Sequence, residues 1–403
     1  MAKWNFSYKA PKVTEDTPVK LTVNTLYNGT VKNTNYATIN IIRSSSLKSL
    51  FTFIIDEDVA LTDSAGCISL ANDAVGTTGD EIQEWAATKP LILAEGGVEF
   101  GDLNPNDLSK FTTGSSAPIT TVGYDTMVKF PKRLYNMSKT GNKVTIQITG
   151  DTSAVDKGFV QYPWIDRTGQ VKDAFYMGAY ECYVSNSKMY SVSGVAPSDS
   201  IQWQYFKQYA ENRGTGYRMR GWYQMLYYQI LYIAIIRNLN SQNAVGRGNC
   251  YSSSKSSTGL LNAKGPTWGD QTSTSSVKFL NIENPWGSLY ECVDDIYMNK
   301  SGNIYTNRGT GYVNTFNTSH TGDGYFSNII GGNDSGFYPS NVSGGSESKT
   351  YGDYHWNLRS YDQTIVLSSG GWADGSYVGA FYLRVCYPVP ISRADFGGRL
   401  LYV

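Results

Sequence analysis

The sequence is poor in the side chains from which most enzyme and metal sites are built. Histidine occurs twice, as His320 and His355, so imidazole acid–base chemistry is scarcely supplied. No GxSxG, P-loop or GxGxxG motif is present. The cysteines are scattered, odd in number and without a CxxC pair, which argues against a zinc site or a disulfide framework and favours buried thiols; they are Cys67, Cys182, Cys250, Cys292 and Cys386.

Charge and long apolar runs are also scarce. Lys and Arg number 34, Asp and Glu number 34, and charged residues make up 17% of the chain, against roughly 25% in typical domains. A nucleic acid or an anionic membrane requires a basic face, so we expect neither partner. The longest apolar run, residues 222–236, has 15 residues, whereas a bilayer span needs about 20. We therefore expect a buried core helix there, with no membrane insertion and no signal peptide at the N-terminus.

Tyrosine is the residue in excess. The chain has 31 Tyr, against 15 Phe and 9 Trp. Tyr offers a large amphipathic contact area at little rotamer cost, and an excess beyond the needs of the core is typical of surfaces built for contact. Residues 301–380 are rich in Gly, Ser, Asn and Tyr, and their regularly placed aromatics favour long loops packed on a rigid frame over disorder.

Hydrophobic patterning divides the chain into two parts. Within residues 1–112, strands are indicated by VKLTVNTL, ATINIIR and FTFIIDEDVAL, a turn by YNGT, and a short helix by GDEIQEWAATKP. These patterns predict a small β-rich domain over residues 1–112. The stretch 101–120 is rich in Pro, Gly, Ser and Asn, which places a linker at 113–120.

Residues 121–403 show strands first and helices next. Strands are indicated by MVKFPKRLYNMSKTGNKVTIQIT and AFYMGAYECYV, and a helix by SDSIQWQYFKQYAENRG. A second helix, over 221–239, is apolar on nearly every side and should be buried all round. In NPWGSLYE we expect Trp286 to fill the core beside a tight turn at Gly287. Arg247 or Arg399 would pair with a partly buried carboxylate such as Glu291 or Asp294.

Several stretches, in the same order along the chain, carry a resemblance to a known family. They are MVKFPKRLYN, DAFYMGAYECYV, ENRGTGYRMRGWYQML, YQMLYYQILYIAIIRNLNSQNAVGRGN, FLNIENPWGSLYECVDDIYMN and GGWADGSYVGAFYLRV with FGGRLLYV. Together they make residues 121–403 similar to the C-type-lectin-like domains of bacteriophage receptor-binding and tail-fibre proteins. That fold is shared with formylglycine-generating enzymes and with the variable proteins of diversity-generating retroelements, such as the phage major tropism determinant.

The resemblance implies a fold, a function and a set of partners. The fold class would be α+β, with a small β-rich domain followed by a lectin-like domain of two helices, short antiparallel sheets and long loops. The chain would be a virion adhesin, made in the host cytoplasm, that recognises a host-surface glycan or protein. Residues 1–112 would bind other virion proteins, and copies would assemble as a homotrimer, as in fibre proteins generally. The alternative is a capsid-decorating head fibre or a structural protein of the baseplate with the same domain.

The resemblance also places the ligand-facing surface near the C-terminus. GGWADGSY would be a loop that presents Trp372, Asp374 and Tyr377. In FYLRVCYPV the alternation of a strand would send Tyr382, Arg384 and Cys386 to one face. Phe381, Leu383, Val385 and Tyr387 would lie on the other. The candidate ligand-binding residues are Tyr354, Trp356, Tyr361, Trp372, Asp374, Tyr377, Tyr382 and Arg384.

The enzyme branch of the same fold supplies a further alternative. Formylglycine-generating enzymes use cysteines near the C-terminus with copper or calcium support, whereas Cys386 has no second cysteine nearby. A glycosidase requires two placed carboxylates, and aspartates in Gly-rich loops are typical of turns. Calcium-dependent lectins carry Glu-Pro-Asn or Gln-Pro-Asp and Trp-Asn-Asp motifs, from which ENP at 283–285 and WNL at 356–358 depart. We therefore expect no enzyme activity, no catalytic residue, no metal and no cofactor.

Overall fold

The computed structural model describes residues 49–403 and the backbone of two strands before them. The chain forms two compact units, Met1–Lys48 and Ser49–Val403. In the first unit, β1 (Thr17–Tyr27) and β2 (Thr30–Ile41) pair as an antiparallel hairpin. This confirms the strands predicted in VKLTVNTL and ATINIIR, while the centre of the predicted YNGT turn lies outside the described residues.

The second unit opens with strands and two short helices. They are β3 (Phe51–Asp56), α1 (Glu57–Ala60), β4 (Ile68–Asn72), α2 (Gly79–Ala86), β5 (Lys89–Ala94), β6 (Val98–Asn104) and β7 (Asp107–Phe111). The helix predicted in GDEIQEWAATKP is α2. It begins at a capping box between Thr78 and Glu81 and ends where Ala87 adopts the left-handed conformation.

The middle of the chain supplies seven further strands and three helices. The first six strands are β8 (Tyr124–Pro131), β9 (Leu134–Thr140), β10 (Lys143–Thr149), β11 (Ala174–Gly178), β12 (Tyr183–Ser185) and β13 (Lys188–Tyr190). After them come α3 (Trp203–Glu211), β14 (Tyr217–Met219), α4 (Trp222–Ile236) and α5 (Ser241–Ala244). Short 3₁₀ turns span Glu95–Gly97, Thr152–Lys157, Tyr162–Trp164 and Gly375–Tyr377.

The last third of the chain is built almost entirely from strands. They are β15 (Lys278–Phe279), β16 (Ile282–Glu283), β17 (Tyr290–Met298), β18 (Asn303–Asn307), β19 (Tyr312–Asn317), β20 (Gly322–Ile329), β21 (Pro339–Gly344), β22 (Tyr354–Asn357), β23 (Thr364–Ser368), β24 (Leu383–Pro388), β25 (Phe396–Gly397) and β26 (Leu400–Tyr402).

Three sheets organise the second unit. A four-stranded sheet has the order β4-β3-β10-β9, and a seven-stranded sheet has the order β14-β26-β11-β8-β5-β6-β7. The largest sheet has the order β19-β18-β17-β23-β24-β22-β20-β21, with β25 paired to β17. Because β5 pairs with β8 and β3 with β10, residues 49–112 share sheets with residues 121–403. The segment predicted as a linker, 113–120, therefore lies within the second unit, and the division of the chain falls at residue 48.

The predicted α+β fold class is wrong. Strands account for 37% of the structure and helices for 15%, so the fold is β-rich. The two predicted helices exist as α3 and α4. The error arose in residues 301–380, where a composition dominated by Gly, Ser, Asn and Tyr suggested loops, yet the structure forms β18 to β23 there. Tyr and Thr fit a pleated, half-buried surface, and cross-strand packing outweighs the turn preference of their neighbours.

The helix α4 is the centre of the core. Residues 222–234 are all buried, which confirms the prediction for this apolar run. The side-chain nitrogens of its two glutamines donate to backbone carbonyls: Gln224 donates to Pro163 and Gln229 to Ala380. The second bond fixes the segment that leads into β24. Among the described residues, no helix has both the length and the apolarity needed to cross a membrane.

A buried ion pair and an indole join the C-terminal strands to this core. Trp286 is fully buried and its Nε1 donates to the carbonyl of Gly246 at 3.0 Å. Gly287 has φ +76°, and a Cβ there would lie 2.8 Å from the backbone nitrogen of Asn249, so glycine is required for the turn. Arg399 pairs with Glu291 inside the protein. The predicted roles of Trp286 and Gly287 are thus confirmed, and of the two arginines considered it is Arg399 that pairs with Glu291.

Candidate functional site

The register of three adjacent strands creates an outward-facing row of aromatic and charged side chains. In the largest sheet, β22 lies between β20 and β24. Trp356 is directly opposite Asp323 on one side and Arg384 on the other, and Tyr354 is opposite Tyr325. Directly opposed residues share a face of the sheet. The alternate positions, His355 and Leu383 among them, are buried beneath.

We call this surface the aromatic face. It comprises Asp323, Tyr325, Tyr354, Trp356, Tyr377, Arg384 and Tyr387. Each of these side chains is at least partly open to solvent, and Tyr377 retains 38% of its exposure. The surface combines large apolar area with one cation and one carboxylate.

The rings of the aromatic face hold one another in place. The centroid of Tyr354 lies 4.5 Å from that of Tyr377, 4.9 Å from that of Trp356 and 5.2 Å from that of Tyr325. Tyr325 and Tyr377 are 5.6 Å apart, and the hydroxyl of Tyr325 hydrogen-bonds Ser376 at 2.9 Å. Tilted and edge-to-face contacts of this kind stabilise aromatic clusters. The rings therefore form one connected platform.

Arg384 lies at one end of this platform, among aromatic rings. Its guanidinium carbon is 4.7 Å from the centroid of Trp356, 4.9 Å from that of Tyr387 and 5.4 Å from that of Tyr290. Its Nη1 donates to the hydroxyl of Tyr290 at 2.9 Å, and its Nε donates to the sulfur of Cys386 at 3.2 Å. Burial lowers the pKa of Arg384, but the neighbouring Tyr290 and Tyr382 raise it above its ordinary value, so the group stays charged.

Hydrogen bonds to Asp374 and from Gln242 hold the loop that carries Tyr377 in place. Asp374 accepts a hydrogen bond from the backbone nitrogen of Gly371 at 2.8 Å, and burial raises the pKa of its carboxyl. Gln242 donates to the carbonyls of Gly375 and Val378 at 2.9 and 2.7 Å. These bonds fix the position of the loop backbone.

The structure brings together half of the predicted ligand-binding residues. Tyr354, Trp356, Tyr377 and Arg384 belong to the aromatic face. Trp372 and Asp374 are half-buried within the loop, where the Trp372 carbonyl accepts a hydrogen bond from Ser252. Asp374 acts as a turn residue rather than as a displayed group.

Two predicted residues lie elsewhere. Tyr382 is fully buried, since β24 begins only at Leu383 and the side chain of Tyr382 packs against Tyr290 in the core. Tyr361 is 39% exposed, but it lies in the loop between β22 and β23, and it has no ring contact with the aromatic face within the part of the chain that the structure describes.

Three members of the aromatic face were missed. Asp323 and Tyr325 belong to β20, and only the strand pairing shows that β20 neighbours β22. Tyr387 was expected on the core side, but the register between β23 and β24 shifts between Ile365 and Leu367, and its ring comes to lie beside Arg384. The alternation in GDGYFSN signals a strand, although no local signal identifies its partner.

A groove elsewhere on the second unit differs from the aromatic face in its electrostatic character. A groove of about 830 Å³ is lined by Lys89, Lys129, Arg167, Lys172, Tyr176 and Tyr402, among others. Each of these four cations is paired: Lys89 with Asp102 at 2.8 Å, Lys129 with Glu99 at 2.6 Å, Lys172 with Asp166 at 2.8 Å, and Arg167 with Asp294. Their charges are compensated within the protein, so the groove offers no uncompensated charge to a ligand.

The titratable groups near the aromatic face are poorly suited to acid–base or nucleophilic chemistry. Burial and the neighbouring His320 lower the pKa of His355 to about 3, and its Nδ1 donates to the carbonyl of Leu383 at 3.0 Å. Burial raises the pKa of the Cys386 thiol, which disfavours the thiolate. Within residues 49–403, no group of three or more His, Cys, Asp and Glu side chains is placed to hold a metal ion.

Comparison with known proteins gives remote structural likenesses only. No family model matches the sequence, and no curated protein matches it. Solved structures that match include PvdO from Pseudomonas aeruginosa, at 11% identity and a TM-score of 0.30, over 72% of this chain and 99% of that one. The P3c and U1 variants of the major tropism determinant match at 11% and 12% identity and a TM-score of 0.29, over 97% of this chain and 82% of theirs. Likeness at this level carries no conclusion about function.

Proposed function

We propose that this chain is a non-enzymatic adhesin of a bacteriophage virion that binds the host cell surface through the aromatic face. The observation that carries the proposal is the aromatic face itself. Tyr325, Tyr354, Trp356 and Tyr377 form one connected cluster that is left open to solvent. Contiguous exposed aromatic surface on a soluble protein marks a site of contact. Tyr, Trp and Arg are also the residues that contribute most binding energy at interfaces.

Rigidity supports the same function. The rings pack on one another, and the loop that carries Tyr377 is fixed by Gln242 and by the turn at Asp374. A platform that is ordered before binding loses little side-chain entropy when a ligand arrives. The chemistry beneath the platform also favours binding over catalysis, since His355 is held neutral by its lowered pKa.

The assignment to a virion rests on the resemblance of residues 121–403 to phage receptor-binding proteins. In this proposal residues 1–48, which form the separate unit within the predicted 1–112 domain, attach the chain to other virion proteins, and several copies act together, as a homotrimer. Weak single sites gain avidity when they are held together. In electron micrographs of virions, a gold-labelled antibody against this protein should be found on the tail. Label confined to the capsid would instead favour a head fibre.

The experiment that tests the binding function removes two rings of the aromatic face. Trp356→Ala combined with Tyr377→Ala should lower the binding of the protein to host cells by about tenfold or more, while the midpoint of thermal unfolding changes little, because both side chains are partly exposed. Tyr361→Ala is the matched control, since Tyr361 is 39% exposed and Tyr377 is 38% exposed. If the double variant binds cells as well as the wild type, per folded molecule, the proposal is wrong.

A further inference from the structure

Arg384 differs from the cations that line the groove and from the neighbouring Arg393. The four cations named in the groove all pair with carboxylates. Arg393, whose guanidinium carbon lies 5.7 Å from the centroid of Tyr387, is neutralised by Asp395 at 2.9 Å. None of the ion pairs in residues 49–403 involves Arg384, whose hydrogen bonds go to a phenol and a thiol instead. Its charge is therefore not engaged in an ion pair, although the nearby carboxyl of Asp374 attracts it.

The guanidinium also has donor capacity left over. Its Nε and Nη1 are used, whereas Nη2 has no hydrogen-bond partner in the described part of the chain. Trp356, Tyr387 and Tyr290 surround the group and hold its plane in place. A fixed, charged guanidinium with a free terminal nitrogen is suited to a carboxylate, phosphate or sulfate, for which charge-assisted hydrogen bonds are the strongest available.

A carboxylate lies across the tryptophan from this cation. Asp323 is opposite Trp356 on β20, so Asp323 and Arg384 are separated by two strand spacings, or about 10 Å. Asp323 is exposed and lies beside the hydroxyl of Tyr354. It has no ion-pair partner among residues 49–403. A carboxylate only accepts hydrogen bonds, so it selects for hydroxyl or amine donors on a ligand.

We propose, on the basis of the function proposed above, that the aromatic face binds an acidic saccharide. Arg384 binds the acid group of the saccharide, and the apolar face of a sugar ring stacks on Trp356 and the neighbouring tyrosines. Hydroxyl groups of the saccharide donate hydrogen bonds to Asp323. A sugar unit or two spans the separation between Asp323 and Arg384. This arrangement uses every charged group of the aromatic face, which a neutral glycan would leave partly unpaired at a cost in binding free energy.

Binding of the full-length protein to immobilised polysaccharides tests the proposal. The probes are polygalacturonate, which carries carboxylates, dextran sulfate, which carries sulfate esters, and neutral dextran. We expect binding to at least one acidic polymer that is about tenfold tighter than binding to dextran and weakens with rising salt. Binding to polygalacturonate alone identifies a carboxylate, and binding to dextran sulfate alone identifies an ester. Equal binding to dextran, or binding to neither acidic polymer, overturns the proposal.

Substitutions locate the effect on Arg384. Arg384→Gln should weaken binding to the acidic polymer by about tenfold, and Arg384→Lys should weaken it less, because it keeps the charge but loses the planar fork. Arg393→Gln is the matched control, since it removes one positive charge that Asp395 already neutralises. It should change affinity by no more than about twofold. Equal losses from Arg384→Gln and Arg393→Gln would mean non-specific attraction and would refute the proposal.

Host cells separate this inference from the function on which it rests. Periodate treatment of the cells, which cleaves sugar diols, should abolish binding, while protease treatment should spare it. If protease rather than periodate abolishes binding, the adhesin function stands and the saccharide is replaced by a protein. If neither the wild type nor any variant binds cells, the proposed function itself fails.

Discussion

A few buried residues stabilise the fold that carries the aromatic face. Trp286 fills the core between α4 and the C-terminal strands, and its ring lies 6.1 Å from that of Tyr232 at nearly a right angle. Gly287 allows the backbone to turn beside it. Arg399 donates to Glu291 and to the carbonyls of Gly178 and Glu283, at 3.0 and 2.9 Å for the two carbonyls. These contacts are remote from solvent and serve the fold.

Trp286→Ala should destabilise the protein by about 3–5 kcal/mol, because it removes a fully buried indole and leaves a cavity. The free energy of unfolding from urea denaturation measures the loss. Trp356→Ala is the control, since its half-exposed ring should contribute far less to stability. A loss below about 1 kcal/mol for Trp286→Ala would show that the core closes around the gap.

At this scale much was predictable from the sequence. A Trp-Gly pair inside an apolar stretch indicates a buried ring beside a tight turn. For the ion pair, the cation was left open between Arg247 and Arg399, and the carboxylate between Glu291 and Asp294, because the sequence alone does not pair distant charges. The structure assigns Arg399 to Glu291, while Asp294 pairs with Arg167 and Lys207. Sequence spacing indicates that a charge needs a partner, but only the fold selects which one.

At the scale of elements, strand pairing decides the composition of the aromatic face. The helices α3 and α4 were predictable, since their apolar patterns are long. The pairing of β20 with β22 was not, because the two strands are separated by β21 and by a long connection. Register is set by contacts between distant segments, and a shift of one residue exchanges the two faces. For this reason Tyr325 was missed, whereas Trp356 was found.

The pairing of β22 with β24 should depend on the protonation of His355. This buried imidazole donates to the carbonyl of Leu383, and burial with the neighbouring His320 lowers its pKa from 6.5 to about 3. The folded state binds the proton less tightly than the unfolded state does. The stabilisation is therefore complete above about pH 6.5 and is lost as the pH falls towards about pH 3.

We accordingly expect His355→Asn to reduce the pH dependence of stability. The free energy of unfolding of the wild type should fall more steeply with acidification than that of the variant, and binding through Trp356 and Arg384 should weaken over the same range. Chemical denaturation at a series of pH values measures the difference. Parallel pH profiles for wild type and variant would show that His355 does not contribute to the acid sensitivity.

At the scale of the whole molecule, the composition misplaced the boundary between units. The stretch 101–120 is rich in turn-forming residues, yet it connects strands of one sheet, with Ala117 bonded to Ser109 and Ser193 bonded to Ile119 through the backbone. Turn-forming composition marks a change of direction equally within a domain and between domains. Long-range pairing of β3 with β10 and of β5 with β8 joins residues 49–112 to residues 121–403. Local sequence patterns do not predict which distant strands pair.

The unit boundary gives a sharp prediction for truncated proteins. A fragment of residues 49–403 retains every strand pair of the second unit and should unfold cooperatively at about the same temperature as the full chain. A fragment of residues 121–403, the domain expected from the sequence, lacks β3 and β5, and it would leave one side of β10 and of β8 without a partner strand. It would also lose the ion pair of Glu57 with Lys139 and the buried side chains of Phe53 and Ile55.

We expect the shorter fragment to aggregate or to remain unfolded, as exposed strand edges and apolar surface favour association. Circular dichroism and size-exclusion chromatography of the two fragments would decide, and a monomeric, cooperatively folded fragment of 121–403 would restore the boundary that composition suggested.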